Sequence, residues 1–222
     1  MHVEVRQTKD GSSTLFVPEL NEHYHSVHGA LQESQHVFIK MGLQATLERL
    51  PAVRLLEVGF GTGLNALLTL QHSLATGATV QYDTLEKYPL SAEVVDKLEF
   101  EKFILNPELL DFFQPLHAAP WEQPVPITPN FTLQKLEIDL EAFAPAPESY
   151  DLIYFDAFAP EKQPHLWTDA IFQKLYDALA PGGRLVTYCA KGSFKRSLKA
   201  AGFTVEALPG PPGKREMTRG VK

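Results

Sequence analysis

Several acids stand where an apolar run stops. In "YDLIYFDAFAPEKQPHLW", Asp156 closes a run of strand length, and Phe158, Pro160, Pro164 and Trp167 follow in a stiff loop. In "VRLLEVGFGTGLNALLTL", Glu57 precedes Gly59, Gly61 and Gly63, which open a helical pattern. Glu86 ends "VQYDTLE", and Asp139 sits in "LEIDLEAF". A carboxylate at a strand end can accept or orient a proton, hold ligand hydroxyls or amines, or simply cap a helix. Glycines permit a tight turn and let a ligand touch the backbone, because no Cβ intervenes. One glycine would turn the chain, so a turn alone does not explain three.

The elements that must position these residues alternate. "GATVQYDTLEKYP", "YDLIYFDAF", "GGRLVTYCA" and "FTVEALPG" are β-type runs. Between them lie the helical patterns "GLNALLTLQHSLA", "SAEVVDKLEFEKFIL", "HLWTDAIFQKLYDALA" and "SFKRSLKAAG". The third is expected to stop at Pro181-Gly182-Gly183. Alternation from Val53 to about Val205 predicts an α/β protein with a mostly parallel central sheet and helices on both faces. Upstream, the sequence reads as a small extension of a short strand, a loop and a helix or two. "WEQPVPITPNFTLQKLEID" reads as an added hairpin or a long approach to a strand. Neither repeat nor linker stands out, so one domain is expected over 1–222, with an N-terminal extension at 1–50 and a core from about 51. Ligands of open α/β sheets bind at the carboxyl ends of the strands, where Glu57, Glu86 and Asp139 are expected to point into one crevice.

The glycine loop limits the ligand. A dinucleotide fingerprint needs a sixth-position glycine, and Leu64 stands there; a P-loop needs Gly-Lys-Ser/Thr, which is absent. Glu57 would repel a pyrophosphate and suits a ligand bearing an ammonium group. The arrangement resembles the first motif of class I S-adenosylmethionine-dependent methyltransferases, a Rossmann-like fold. That resemblance puts ribose hydroxyls on Glu86 and the adenine edge near Asp139. Any one acid could equally be a helix cap or a solvated surface residue. Asp156 would then stand beside the methyl donor, where a carboxylate can take or orient the proton of an amine nucleophile. Pro160 and Pro164 stiffen the backbone beside it. Phe158 and Trp167 could stack on a planar base, and Trp167 could equally anchor the next helix in the core.

Charge and composition bound the partners. The net charge is −7, yet residues 191–222 carry eight lysines and arginines against Glu206 and Glu216. A basic end on an acidic body could track phosphates, or could be a solvated helix and strand. No run approaches the ~18 apolar residues of a membrane span, so no membrane partner is expected. Cys189 is the sole cysteine and no leader is apparent, which fits a cytoplasmic setting. Cys189 itself reads as a small buried hydrophobe. His23, His25 and His28 cluster without metal-ligand spacing, so no metal is expected.

"EVGFGTGLN", "DAFAPEKQPHLW", "GGRLVTYCAKGSFKRSLKAAGF" and "GPPGKREM" together resemble the methyltransferase domain of the MnmC family, and "HYHSVHGALQESQHVF" fits the same family. The resemblance runs from about Leu15 to Gly220. It implies a wobble-uridine enzyme that methylates the aminomethyl group of 5-aminomethyl-2-thiouridine in tRNA. It also implies an antiparallel last strand. The cofactor set it suggests is Glu57, Gly59, Gly61, Gly63, Asn65, Glu86, Lys87, Asp139, Leu140 and Asp156, with Tyr24 and Ser26 closing over it. Asp156 and Phe158 would form the transfer site. Glu33 could cap or pair within its helix. Lys195, Arg196, Lys214 and Arg215 would meet tRNA phosphates. Two-domain members add a flavin-dependent oxidase domain; a chain of this length is expected to act without flavin, beside separate enzymes of the pathway. Two other readings stay open: a methyltransferase for a small amine metabolite, and a non-catalytic binding module on the same fold.

Overall fold

A computed structural model describes residues 2–25, 29–102, 104 and 106–222, without the side chain of Glu101. A small antiparallel sheet comes first, with β1 (Glu4–Gln7), β2 (Ser13–Val17) and β3 (Glu22–His23) in that order. Helix α1 (Ala30–Ser34) runs on as a π-helical stretch, Gln35–Gln44, into α2 (Ala45–Leu47).

The main sheet then builds outward from β4 (Ala52–Val58). On one side lie β5 (Thr79–Leu85) and the hairpin of β6 (Pro124–Thr128) and β7 (Phe131–Leu136). On the other lie β8 (Tyr150–Phe155), β9 (Leu179–Thr187), β11 (Glu216–Val221) and, at the edge, β10 (Thr204–Pro209). Strands β7, β5, β4, β8 and β9 run parallel, while β11 pairs antiparallel with both β9 and β10. The chain moves from β4 toward β7 and then returns to β8 on the opposite flank. The carboxyl ends of β4 and β8 therefore border the crevice where such sheets bind ligands.

Both faces of the sheet are buried, and the period-2 alternation shows it. Leu55, Leu152, Tyr154 and Val186 pack on the face covered by the π-helical stretch, α3 (Leu64–Thr76) and α5 (Pro107–Ala118). Leu56, Ile153, Phe155 and Leu185 pack on the other face, against α6 (Asp169–Ala178) and α7 (Gly192–Ala200). Cys189 is buried among the latter group and free.

Three boundaries depart from the sequence reading. Thr168 caps α6, its hydroxyl accepting from Ile171 N, so that helix starts at Asp169. It ends at Ala178, and Pro181-Gly182-Gly183 lie inside β9, where the β8–β9 register shifts. The helical pattern after Ser91 yields only α4 (Ala92–Asp96) and a 3₁₀ turn. The long helix of that region is instead α5, started by the Asn106 cap with Pro107 in its first turn and carrying Pro115 within. Two prolines in one segment had hidden it. Among the described residues no helix is long and apolar enough to cross a membrane.

Candidate active site

The glycine turn after β4 is pinned to its neighbours by the backbone. Gly59 N and Phe60 N both donate to Leu85 O, at 2.9 and 3.2 Å, and Asp156 N donates to Val58 O at 3.1 Å. These bonds set the ends of β4, β5 and β8 side by side. Gly59 has φ +94, and a Cβ there would lie 3.0 Å from Asp156 O, so both its backbone and its neighbour demand glycine. Gly63 has φ +73 and caps α3; a Cβ would lie 2.8 Å from His117 Nε2. His117 in turn holds Thr62 O at 3.0 Å, and buried Lys135 donates to His117 O at 2.5 Å. Burial lowers the Lys135 ammonium to about 8 and the His117 imidazolium to about 4. Gly61 N donates to Glu86 Oε2 at 3.0 Å, which joins the turn to the acid after β5.

Above this turn opens a cavity of about 480 Å³. Tyr24 and His25 from the N-terminal sheet, Gly59, Gly61 and Asn65, Glu86 and Lys87, Asp139 and Leu140, and Asp156 and Phe158 all line it. The segments after the strands are braced. Glu86 N donates to Leu136 O at 2.9 Å, and Lys174 of α6 donates to Leu140 O and Glu141 O at 2.9 and 2.8 Å. Lys87 Nζ and Asp139 Oδ2 pair at 2.5 Å; burial raises the Asp139 carboxyl, and the bonds from Lys87 and Glu141 N outweigh it, leaving it below its ordinary value.

Asp156 Oδ2 accepts from Asn65 Nδ2 at 2.9 Å. Burial, helped by the Glu33 charge, raises its carboxyl to about 7, against the opposing pull of Asn65 and Lys214. Phe158 beside it meets the Tyr24 ring edge to face at 5.1 Å. Its backbone is held at both ends: Phe158 N donates to Gln163 Oε1 at 2.9 Å, and Trp167 Nε1 donates to Phe158 O at 2.9 Å. Trp167 is a core anchor, packed against Phe155, Phe172 and Phe194. Lys162 donates to Leu20 O at 2.7 Å and so ties the loop to the N-terminal sheet.

Two residues of the sequence-derived set stand behind the cavity rather than on its wall. Gly63 faces His117, and Glu57 is fully buried, with Oε2 accepting from Thr84 Oγ1 at 2.7 Å. Burial drives the Glu57 carboxyl to about 8, so at neutral pH it holds its proton. Ser26 and His28 lie outside the described residues. His25 is on the wall, and burial lowers it to about 4, leaving it neutral. Of the four cations expected to meet phosphates, Lys195 pairs with Glu216 at 2.9 Å and Lys214 pairs with Glu33, whereas Arg196 and Arg215 are exposed. Sequence reasoning missed Phe60, Thr62, Ile138, Lys162, Gln163 and His165 on the wall. The spacing of Gln163 and Lys162 from Asp156 carries no periodic signal, since an irregular loop delivers them. Among the described residues, no group of three or more His, Cys, Asp or Glu is placed to hold a metal ion.

The cavity suits a cationic, partly planar ligand: Ile138 and Leu140 give apolar walls, Glu86 an acceptor, and Asn65 a polar side chain. A parallel sheet with an inserted antiparallel β11, a glycine turn after β4 and acids after β5, β7 and β8 define a class I methyltransferase fold. A family model described as S-adenosyl-L-methionine-dependent methyltransferase matches residues 116–222. The tRNA 5-methylaminomethyl-2-thiouridine biosynthesis bifunctional protein MnmC of Magnetococcus marinus is 34% identical, over 94% of this chain and 32% of its own length. The chain thus spans about a third of the curated relatives it matches. The crystal structure of MNMC2 from Aquifex aeolicus superposes with a TM-score of 0.79 at 28% identity, covering 99% of this chain and 70% of that one. Spermidine synthase from Thermotoga maritima shares the fold, with a TM-score of 0.53 and 16% identity over 99% of this chain and 72% of its own. The chain is thus similar to S-adenosyl-L-methionine-dependent methyltransferases over residues 116–222 and to MnmC proteins over nearly its whole length.

Proposed function

We propose that this protein methylates the aminomethyl group of 5-aminomethyl-2-thiouridine at the wobble position of tRNA, in the cytoplasm. The observation that carries the reading is Asp156: a carboxyl on the cavity wall, fixed by Asn65, that takes up and releases a proton near neutral pH. The relatives' printed name, with its methylaminomethyl product, calls for an amine nucleophile. Such an amine is protonated in water and must lose its proton before its lone pair can attack.

S-adenosylmethionine supplies an electrophilic methyl carbon on a sulfonium. Tyr24, Asn65, Glu86, Lys87, Asp139, Leu140 and the Gly59–Gly61 backbone would hold it. Asp156 would take the proton from the bound ammonium first, freeing the nitrogen lone pair for the methyl carbon, with the C–S electron pair leaving on sulfur. Phe158 and Tyr24 exclude water at that point and narrow the approach to one face. Arg196 and Arg215 are the exposed cations that would meet tRNA phosphates.

Asp156→Asn tests the assignment, because it keeps the size of the side chain and removes its basicity. The expected result is a loss of roughly 10²–10⁴-fold in methyl transfer with S-adenosylmethionine still bound in calorimetry. Full turnover in the variant would remove Asp156 from the chemistry.

A further inference from the structure

Lys214 and Glu33 stand far apart in sequence and meet in the fold. Lys214 sits in the turn between β10 and β11, and its ammonium pairs with the Glu33 carboxylate of α1. Glu33 is 6% exposed, while Lys214 remains partly exposed. The same ammonium lies 4.2 Å from the centroid of the Tyr188 ring. Tyr188 donates from its hydroxyl to Ala157 O at 2.9 Å, one residue beyond Asp156. A chain of contacts therefore runs from α1 through Lys214 and Tyr188 to the backbone that carries the acid.

We propose that Glu33 and Lys214 form a positioning ion pair for Asp156, bracing its segment through Tyr188 and setting two opposed charges against it, an inference that rests on the amine-methylation reading. The charged and titratable groups facing Asp156 are Glu33 from α1, Lys214 from the β10–β11 turn, Glu57 from β4, Tyr82 from β5 and Tyr188 after β9. Burial keeps both tyrosines protonated, and Glu57 holds its proton at neutral pH. Among the described residues, Glu33 and Lys214 are thus the charges left to act on the acid. Glu33 disfavours the Asp156 carboxylate and Lys214 favours it. Asp156 can then bind the amine's proton without holding it permanently.

The test is a ¹³C carboxyl titration of aspartate-labelled protein, with the Asp156 signal assigned by its loss in Asp156→Asn. Glu33→Gln is expected to move the Asp156 midpoint down by roughly 1 pH unit, and Lys214→Gln to move it up by a similar amount. Lys214→Arg is expected to restore the wild-type midpoint. Each variant's kcat/KM profile should shift its acidic limb in the same sense as its titration, and the pH dependence of S-adenosylmethionine affinity should move with it. A purely structural pair would move neither midpoint, or move both the same way, and either result overturns the proposal. If Glu33→Gln does not fold, the two Lys214 variants decide the matter alone. The titration is read on the protein by itself. A wild-type protein that leaves tRNA unmethylated would therefore count against the substrate reading, and the midpoints would still judge the ion pair.

Discussion

Replacing Glu57 by glutamine should change how the fold responds to pH. Glu57 has no exposed surface and only neutral hydrogen-bond partners among the described residues, so ionising it places a charge in a poorly solvated site. Its carboxyl titrates at about 8 in the fold, against 4.5 as the ordinary value. A raised carboxyl means that the folded state binds the proton more tightly than the unfolded one. The resulting stability is fully present below pH 4.5 and is lost as pH rises through about 8. That gap corresponds to a loss of on the order of 5 kcal/mol across the window. Asp156, raised from 3.8 to about 7, loses stability in the same direction over its own window. Glu57→Gln keeps the volume and an acceptor for Thr84 and cannot ionise. Urea unfolding at pH 5 and pH 8.5 should show the wild type weakening by several kcal/mol, and the variant by markedly less. If the two proteins lose stability equally, within about 1 kcal/mol, the buried charge is not what drives the pH response.

Other consequences follow from the same geometry. S-adenosylmethionine carries a sulfonium and an ammonium, so its affinity should tighten roughly tenfold between pH 6 and pH 8, as Asp156 ionises; titration calorimetry across that range checks it. Gly63→Ala forces a Cβ to 2.8 Å from His117 Nε2 at φ +73, and should cost about 1–3 kcal/mol, read as a fall in Tm by calorimetry. Trp167→Ala removes a core anchor and the bond to Phe158 O, and should destabilise by about 3–5 kcal/mol in urea unfolding. Arg215→Ala and Arg196→Ala should each lower the log–log salt slope of tRNA binding by about one, the value for a single phosphate left unneutralised, in fluorescence anisotropy at several salt concentrations.

The alternation of strand and helix made the layered sheet legible, because runs such as "YDLIYF" are apolar on both faces and only a doubly covered sheet accommodates them. The strand-end acids were legible for a related reason. Asp156 interrupts a run that burial would otherwise continue, and Glu86 does the same after "VQYDTL". What the sequence hid was depth and pairing. Glu57 precedes the glycine turn as a ligand-facing acid would, yet the β4 pleat turns it inward onto Thr84. Four cations near the carboxyl end looked alike, and only the fold shows that Lys195 and Lys214 are already engaged. Helix α5 was hidden by Pro107 and Pro115, although a proline in the first turn costs a helix nothing. The Trp167 alternatives were likewise undecidable until Phe155, Phe172 and Phe194 were seen around it.

The central claim is amine methylation on a wobble uridine, and one measurement addresses it directly. The purified protein would be incubated with S-adenosylmethionine and tRNA from cells lacking the final wobble methylation, and the digested nucleosides weighed by mass spectrometry. The expected result is one added methyl on 5-aminomethyl-2-thiouridine, absent with Asp156→Asn. An unchanged nucleoside mass in the presence of bound S-adenosylmethionine would contradict the account.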